Sequence, residues 1–198
     1  MHGAARARIL RMPNATWLTD HFLIAMPAMD DPNFARTVTY VCQHDGDGAM
    51  GIVVNRTAAL TMADVLRQMN LSSDDPAVSG APIFVGGPVQ PERGFVLHPP
   101  GGQWDSTLAV TPRLSITTSR DVLAAIAAGT GPRRAMLALG CAGWAAGQLE
   151  SELRDNAWLT APADESLIFD VPPEKRWEAA ARLVGVDPAR LSDYAGHA

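Results

Sequence analysis

Short apolar runs, some alternating and some continuous, recur along this chain between glycines and prolines, and they predict many short strands rather than a few long helices. Residues before about Leu18 show no period and predict a flexible arm. Phe22 to Pro27 reads as a buried strand. In Arg36 to Gln43, Val38, Tyr40 and Cys42 share one face and Thr37, Thr39 and Val41 the other, as in a strand with one drier side. The segment His44-Asp-Gly-Asp-Gly48 carries turn chemistry, because Asp-Gly pairs tolerate positive φ, so Ala49 to Asn55 returns as the second arm of a hairpin.

Further on the period changes. Met62, Val65, Leu66 and Met69 fall at helical spacing behind Thr61-Met-Ala-Asp64, a capping box with Asp in place of Glu. Ile83-Phe-Val85 and Gly94 to His98 are short strands stopped by Gly86-Gly-Pro88 and Pro99-Pro-Gly-Gly102, which means sharp turns. Leu108 to Val110 and Leu114 to Thr118 are strands, and a helix capped at Thr118 or Ser119 runs to Gly129. Ala135 to Leu139 is a continuous apolar strand, central to a sheet. Gln148 to Asn156 is an amphipathic helix, Trp158-Leu159 is extended, and Pro172 to Gly185 is a helix with proline at its start and glycine past its end. The mixed order predicts an α+β fold in a single domain over residues 18–198, with residues 1–17 as the arm and a sharply turned sheet or partial barrel flanked by helices.

Composition narrows the class. A chain of 198 residues, 47% of them hydrophobic, can bury a core without disulfide or metal. The formal net charge of -5 and dispersed basic residues argue against a generic nucleic-acid binder. Cys42 and Cys141, far apart and in apolar company, read as free thiols of a reducing compartment, although one bridge between them stays open. Arg6, Arg8 and Arg11 ahead of Phe22 to Met29 mimic a signal peptide, but Asp20 and His21 abut the run and Pro27 interrupts it. No stretch approaches the roughly 20 apolar residues that span a bilayer, so the expected location is the cytoplasm.

Candidate chemistry concentrates in Gly140-Cys-Ala-Gly-Trp-Ala-Ala-Gly-Gln-Leu-Glu150, read as a tight turn from the central strand into a helix. Cys141 there imitates a nucleophile elbow, with His21, His44 and His98 as the available bases, yet the Gly-x-Ser-x-Gly pattern is absent and a structural cysteine is the simpler reading. Cys42, His44, Asp45 and Asp47 lack the second ligand pair that a metal site needs, so no metal and no cofactor are expected. Glu150 and Arg154 make an ordinary helix pair. The glycines could cradle an anion, but the Lys-Ser/Thr of a phosphate loop is missing. Trp144 is either a core plug or a recognition face. Glu92-Arg93 reads as a solvated loop tip.

Leu18-Thr-Asp-His-Phe-Leu-Ile-Ala-Met-Pro-Ala-Met29, Gly48-Ala-Met-Gly-Ile-Val-Val-Asn55, Phe84-Val-Gly-Gly-Pro-Val89, Gly94 to His98, Gly143-Trp-x-x-Gly-Gln-Leu-Glu150, Asn156 to Leu159, Asp187 to Leu191 and Gly196-His-Ala198 together resemble the bacterial AlgH/YqgE family. The resemblance covers the chain from about Thr16. Thr57 stands where that family tends to have proline, and Cys141 where it often has tyrosine, which speaks against a shared cysteine nucleophile. The resemblance implies a small cytoplasmic protein of mixed α and β architecture without an established enzymatic activity, cofactor or catalytic set, and a transcriptional-regulator label on one branch. Three readings follow. The favoured one is a non-enzymatic regulatory or adaptor protein that binds a protein partner. The second is a small-molecule module or cryptic hydrolase at the Gly86-Gly87, His98 and Gly140 to Trp144 loops. The third is direct DNA binding, which the charge opposes. The candidate binding residues are Asn55, Gly86, Gly87, His98, Gly143, Trp144 and Gln148.

Overall fold

The structure is a computed structural model, and it describes residues 17–187. The expected arm, apart from Trp17, and the closing motifs from Pro188 onward lie outside the described residues. Ten strands form one curled sheet: β1 (His21–Ala25), β2 (Val38–Asp45), β3 (Gly48–Val53), β4 (Thr57–Thr61), β5 (Pro82–Val85), β6 (Val89–His98), β7 (Thr107–Ala109), β8 (Ser115–Thr117), β9 (Met136–Ala145) and β10 (Trp158–Pro162). Their order is β10-β1-β2-β3-β9-β6-β8-β7, with β5 joining β4 to β9. Every pairing is antiparallel except β5 with β9. The sheet curls into a half-barrel within a single compact domain, as the α+β expectation required.

The helices are α1 (Met62–Gln68), α2 (Pro76–Ser79), α3 (Arg120–Ala127), α4 (Gln148–Arg154), α5 (Glu165–Phe169) and α6 (Arg176–Leu183). The capping box at Thr61 is present, with the Asp64 carboxylate accepting from the Thr61 N–H at 2.9 Å. Alternation along the strands decides which layer each side chain joins. One face gathers Phe22, Tyr40, Ile52, Phe84, Leu97 and Ile116 from strands far apart in order into a single core, so it is the inside of the curl. The other face is split into two cores, one under α1 and α3 and one under α4.

Only part of the inner face is covered by helix. Helices α5 and α6 bring Leu167, Ile168, Trp177 and Ala180 onto it, each large side chain contributing about 1.5–3 kcal/mol by burial. The Trp177 indole donates to Ala25 O at 2.9 Å. The buried Arg176 guanidinium donates to Val171 O and Val54 O and lies over the Phe84 ring. Its removal from water pushes its pKa down to about 10.

The glycine-rich stretch is not the expected turn. Strand β9 runs through it to Ala145 before α4 begins at Gln148. Met136 and Ala138 point inward and Leu137 and Leu139 outward, yet Cys141 points inward while Ala142 and Trp144 point outward. The alternation slips by one residue at Gly140, whose φ is +74° and where a Cβ would sit 2.3 Å from Gly87 O. That is a β-bulge, the device by which a strand re-aims its side chains without ending. A second bulge lies in β2, where Cys42 is the extra residue between the pairs Val41 with Gly51 and Gln43 with Met50.

Candidate functional site

Because α5 and α6 cover one end of the inner face, the other end stays open as a cleft of about 440 Å³. Met50, Phe95, Ile116 and Cys141 form its floor, and Gln43, Gln90, Arg93 and Asp105 stand around it. Residues directly opposite in an antiparallel ladder share a face. Val89 opposite Cys141, Gly143 opposite Met50, and Leu108 opposite Ile116 therefore also face this side. Val89 is 40% exposed and Leu108 44%, two large apolar side chains left in water on the same face. Strand β7, which carries Leu108, pairs only with β8 and so ends the sheet on this side. Arg93 is held over the Phe95 ring at 5.6 Å and donates to Gln90 and Thr118, each at 3.2 Å.

Of the candidate binding residues named from sequence, Gly143 alone faces this cleft, opposite Met50, where its missing side chain leaves the backbone bare; Cys141, the candidate nucleophile, lies in its floor. Gly86 and Gly87 are buried beneath β9, where a Cβ would come within 2.2 Å of Gly140 O and 2.3 Å of the Cys141 carbonyl carbon. They allow two backbones to cross and leave no room for a ligand. Asn55 ties strands together, accepting from Val38 N at 2.8 Å and donating to Arg36 O at 2.9 Å. Its neighbour Arg56 donates to the carbonyls of Pro32, Asn33 and Ala35, pinning the loop before β2.

Trp144 is on the opposite face, 6% exposed, within a cluster of Phe34 and Trp158 whose ring centroids lie 5.6–6.1 Å apart. Glu152 anchors that cluster: one oxygen accepts from the Trp144 and Trp158 indoles at 2.9 and 2.8 Å, and the other accepts from Gln148 at 2.9 Å. Gln148 in turn accepts from Ala145 N at 3.0 Å, closing the link from β9 into α4. Trp144 and Gln148 are packing and capping residues, so the recognition-face reading of Trp144 does not hold in this structure.

His98 lies at the far end of β6, opposite Ser115 and away from Cys141. Its Nδ1–H donates to Pro99 O at 2.8 Å, the Thr117 hydroxyl lies 2.7 Å from Nε2, and burial pulls its pKa down. The structure thus does not bring Gly86-Gly87, His98 and Gly140 to Trp144 together as one pocket. His44 is equally engaged: Leu18 N donates to its Nδ1 at 3.0 Å, which leaves the proton on Nε2 facing Glu150 at 3.1 Å. Neither imidazole has a free nitrogen to offer a thiol.

Both cysteines are free and belong to the inner core. Burial, then the neighbouring Cys141, pushes the Cys42 thiol up. Burial likewise raises Cys141, with Arg93 opposing it. A thiol held protonated is a poor nucleophile. Among the described residues no cluster of three or more His, Cys, Asp or Glu is placed to hold a metal ion, and no helix is long and apolar enough to cross a membrane.

Sequence reasoning passed over Val89, Arg93, Phe95 and Leu108 as cleft residues. Pro91 hid the first half of β6, and only the pairing of β6 with β9 and β8 brings these residues to one face. Exposed apolar residues in short runs beside a strand edge were the available signal.

The fold is thus a bulged half-barrel with helices on both faces and one open end of its inner face. The AlgH-like family model matches residues 22–189, and the chain belongs to that family. A UPF0301 protein of Methylococcus capsulatus is 56% identical over 92% of this chain and 97% of its own length. One of Nitrosococcus oceani is 53% identical over 94% of this chain and 100% of its own. The solution structure of the AlgH protein from Pseudomonas aeruginosa superposes with a TM-score of 0.77 at 53% identity, covering 96% of this chain and 100% of that one. A crystal structure of a Corynebacterium diphtheriae protein shares the fold, with a TM-score of 0.67 at 21% identity.

Proposed function

We propose that this chain is a non-enzymatic regulatory or adaptor protein of the cytoplasm that receives a protein partner at the open end of its inner face. The observation that carries the reading is the apolar floor of Met50, Phe95 and Ile116 flanked by exposed Val89 and Leu108. Apolar side chains left in water around a cleft are what a partner surface covers. The bound state of the His44 and His98 ring nitrogens and the raised thiol of Cys141 support binding over acyl or thiol chemistry. The regulator label on one branch of the family fits such a role without DNA contact, given a net charge of -5. Two free buried thiols suit a reducing compartment.

The test is purification from the native host under gentle conditions with nuclease treatment, comparing wild type with Val89→Asp/Leu108→Asp. Both positions are exposed, so the fold should survive. A stoichiometric protein lost from the double variant supports the reading. A partner retained by the variant, or turnover of esters, amides or phosphates by the purified wild type, overturns it.

A further inference from the structure

Strand β7 closes one side of the sheet, and among the described residues no strand pairs with its outer side. Two hydrogen bonds at its ends fix which backbone groups face that side: Thr118 N donates to Ser106 O and Val110 N to Leu114 O, each at 3.0 Å. Between them the ladder pairs Thr107 with Thr117, Leu108 with Ile116 and Ala109 with Ser115. Hydrogen-bonded and non-hydrogen-bonded pairs alternate along an antiparallel ladder. Ser106, Leu108 and Val110 therefore turn their backbone groups toward β8, and Thr107 and Ala109 turn theirs outward. Four backbone groups on two alternate residues are left to water.

Proteins commonly blunt such an edge with a lysine, a proline, a bulge or a covering element. Here Thr107, Leu108 and Ala109 carry no charge, their register with β8 is unbroken, and all three are exposed. Shortness is the one protection that β7 has, and its three residues still offer those four groups. Leu108 stands between the two outward residues with its side chain on the inner face, opposite Ile116 and at the rim of the partner cleft. The open backbone edge and the apolar end of the cleft thus meet at one residue.

We infer that the partner docks by adding an uncharged, extended segment antiparallel to β7, with an apolar side chain opposite Leu108. This rests on the partner reading above and specifies what the partner presents. A segment of three residues satisfies every outward group: its outer two residues exchange N–H···O bonds with Thr107 and Ala109, and its central residue forms the closer, non-hydrogen-bonded pair with Leu108, its side chain on the inner face. Main-chain bonds then supply affinity, and the site for the central side chain supplies specificity. A second copy of this chain would set Leu108 against Leu108 across a twofold axis and leave the cleft of each copy unfilled, so the edge fits a segment of another protein.

The probe is acetyl-Thr-Thr-Phe-Thr-Thr-amide, titrated into the purified chain and followed by amide chemical shifts. It should bind saturably, with shifts centred on Thr107, Leu108, Ala109 and Ile116. N-methylation of the two residues flanking Phe, whose N–H groups face β7, should abolish binding, whereas N-methylation of Phe, whose N–H points away, should leave it unchanged. A matched peptide with Asp in place of Phe should not bind. Ala109→Pro removes one outward donor without touching a β7–β8 bond and should weaken the parent peptide about threefold to tenfold, the range open to one hydrogen bond. Should Ala109→Pro not fold, the N-methylated peptides still decide. Undiminished binding of the peptide methylated beside Phe, shifts centred elsewhere, undiminished binding by a folded Ala109→Pro, or no saturable binding would each overturn the inference. So would a dimer of the free chain that Ala109→Pro dissolves, which would assign the edge to a second copy. A host partner retained by Ala109→Pro but lost from Val89→Asp/Leu108→Asp would refute strand addition while the partner reading stands; one retained by both would refute both.

Discussion

Gly140 and Gly147 allow the bulge in β9 to be tested by a matched pair of substitutions. Their φ values are +74° and +76°, so alanine carries the same left-handed strain at both, about 1–2 kcal/mol. Their surroundings differ. A Cβ at Gly147 meets nothing within 4 Å, whereas at Gly140 it would lie 2.3 Å from Gly87 O, 3.1 Å from Val89 O and 3.2 Å from the Pro91 Cα. All three are backbone atoms, so relief requires β6 or the Gly86-Gly87 crossing to move, and overpacking of this kind costs about 1–3 kcal/mol more. Gly147→Ala should therefore lose about 1–2 kcal/mol and Gly140→Ala about 2–5 kcal/mol, a large share of the stability of an ordinary domain. Urea unfolding followed by tryptophan fluorescence measures both, since Trp144 and Trp158 sit beside the affected strand. The difference between the two variants isolates the packing contribution. If they agree within about 0.5 kcal/mol, the limit of additivity between independent sites, the argument that the bulge is locked by backbone contact is refuted.

Three further outcomes follow from the geometry. Glu152→Ala orphans the Trp144 and Trp158 indole N–H groups and should cost about 2–4 kcal/mol, with red-shifted tryptophan emission; a loss below about 1 kcal/mol would show that water replaces the carboxylate. Burial holds the His98 pKa below its unfolded value of about 6.5, so under that pH the unfolded chain takes up a proton that the folded chain refuses, and stability falls as pH drops. Titration of the His98 ring by NMR should accordingly show it neutral below the ordinary histidine range, and a pKa above 6.5 would contradict the assignment. Cys141 should react slowly with a thiol reagent at pH 8, more slowly still in Arg93→Ala because that cation favours the thiolate, while Cys42 stays inert until unfolding; equal rates in wild type and variant would remove Arg93 from the site.

Much of the fold is legible in local patterns. Alternation in Val38 to Cys42 and the Asp-Gly turn after it place a hairpin, and Thr61 with Asp64 announces α1, because these signals depend on backbone sterics and hydrogen bonds within a few residues. Helix α6 and its terminating Gly185, with φ of +70°, follow the same rule. The short elements were not legible. Strand β4, helix α2 and helix α5 are five residues or fewer and exist because neighbours hold them. The first half of β6 contains Pro91, a residue that local rules remove from strands, and it is tolerated where the β6 register with β9 is broken between Val89 and Gly94.

Gly140 to Ala145 shows the division most clearly. Taken alone, three glycines around Cys141 and Trp144 specify a place where the chain can adopt positive φ or approach another backbone closely, and a turn satisfies that as well as a bulge does. Only the crossing of Gly86-Gly87 beneath β9 selects the bulge, and the bulge sends Cys141 to the inner face and Trp144 to the outer one. The candidate site was decided at the same level. Val89, Phe95, Leu108 and Met50 are ordinary apolar residues in sequence, spread over three strands, and they share a cleft because the ladder places them on one face and α5 and α6 stop short of covering them. Local sequence determines elements through short-range sterics and periodicity, whereas which faces meet, and which face stays uncovered, depends on pairings between residues far apart in the chain.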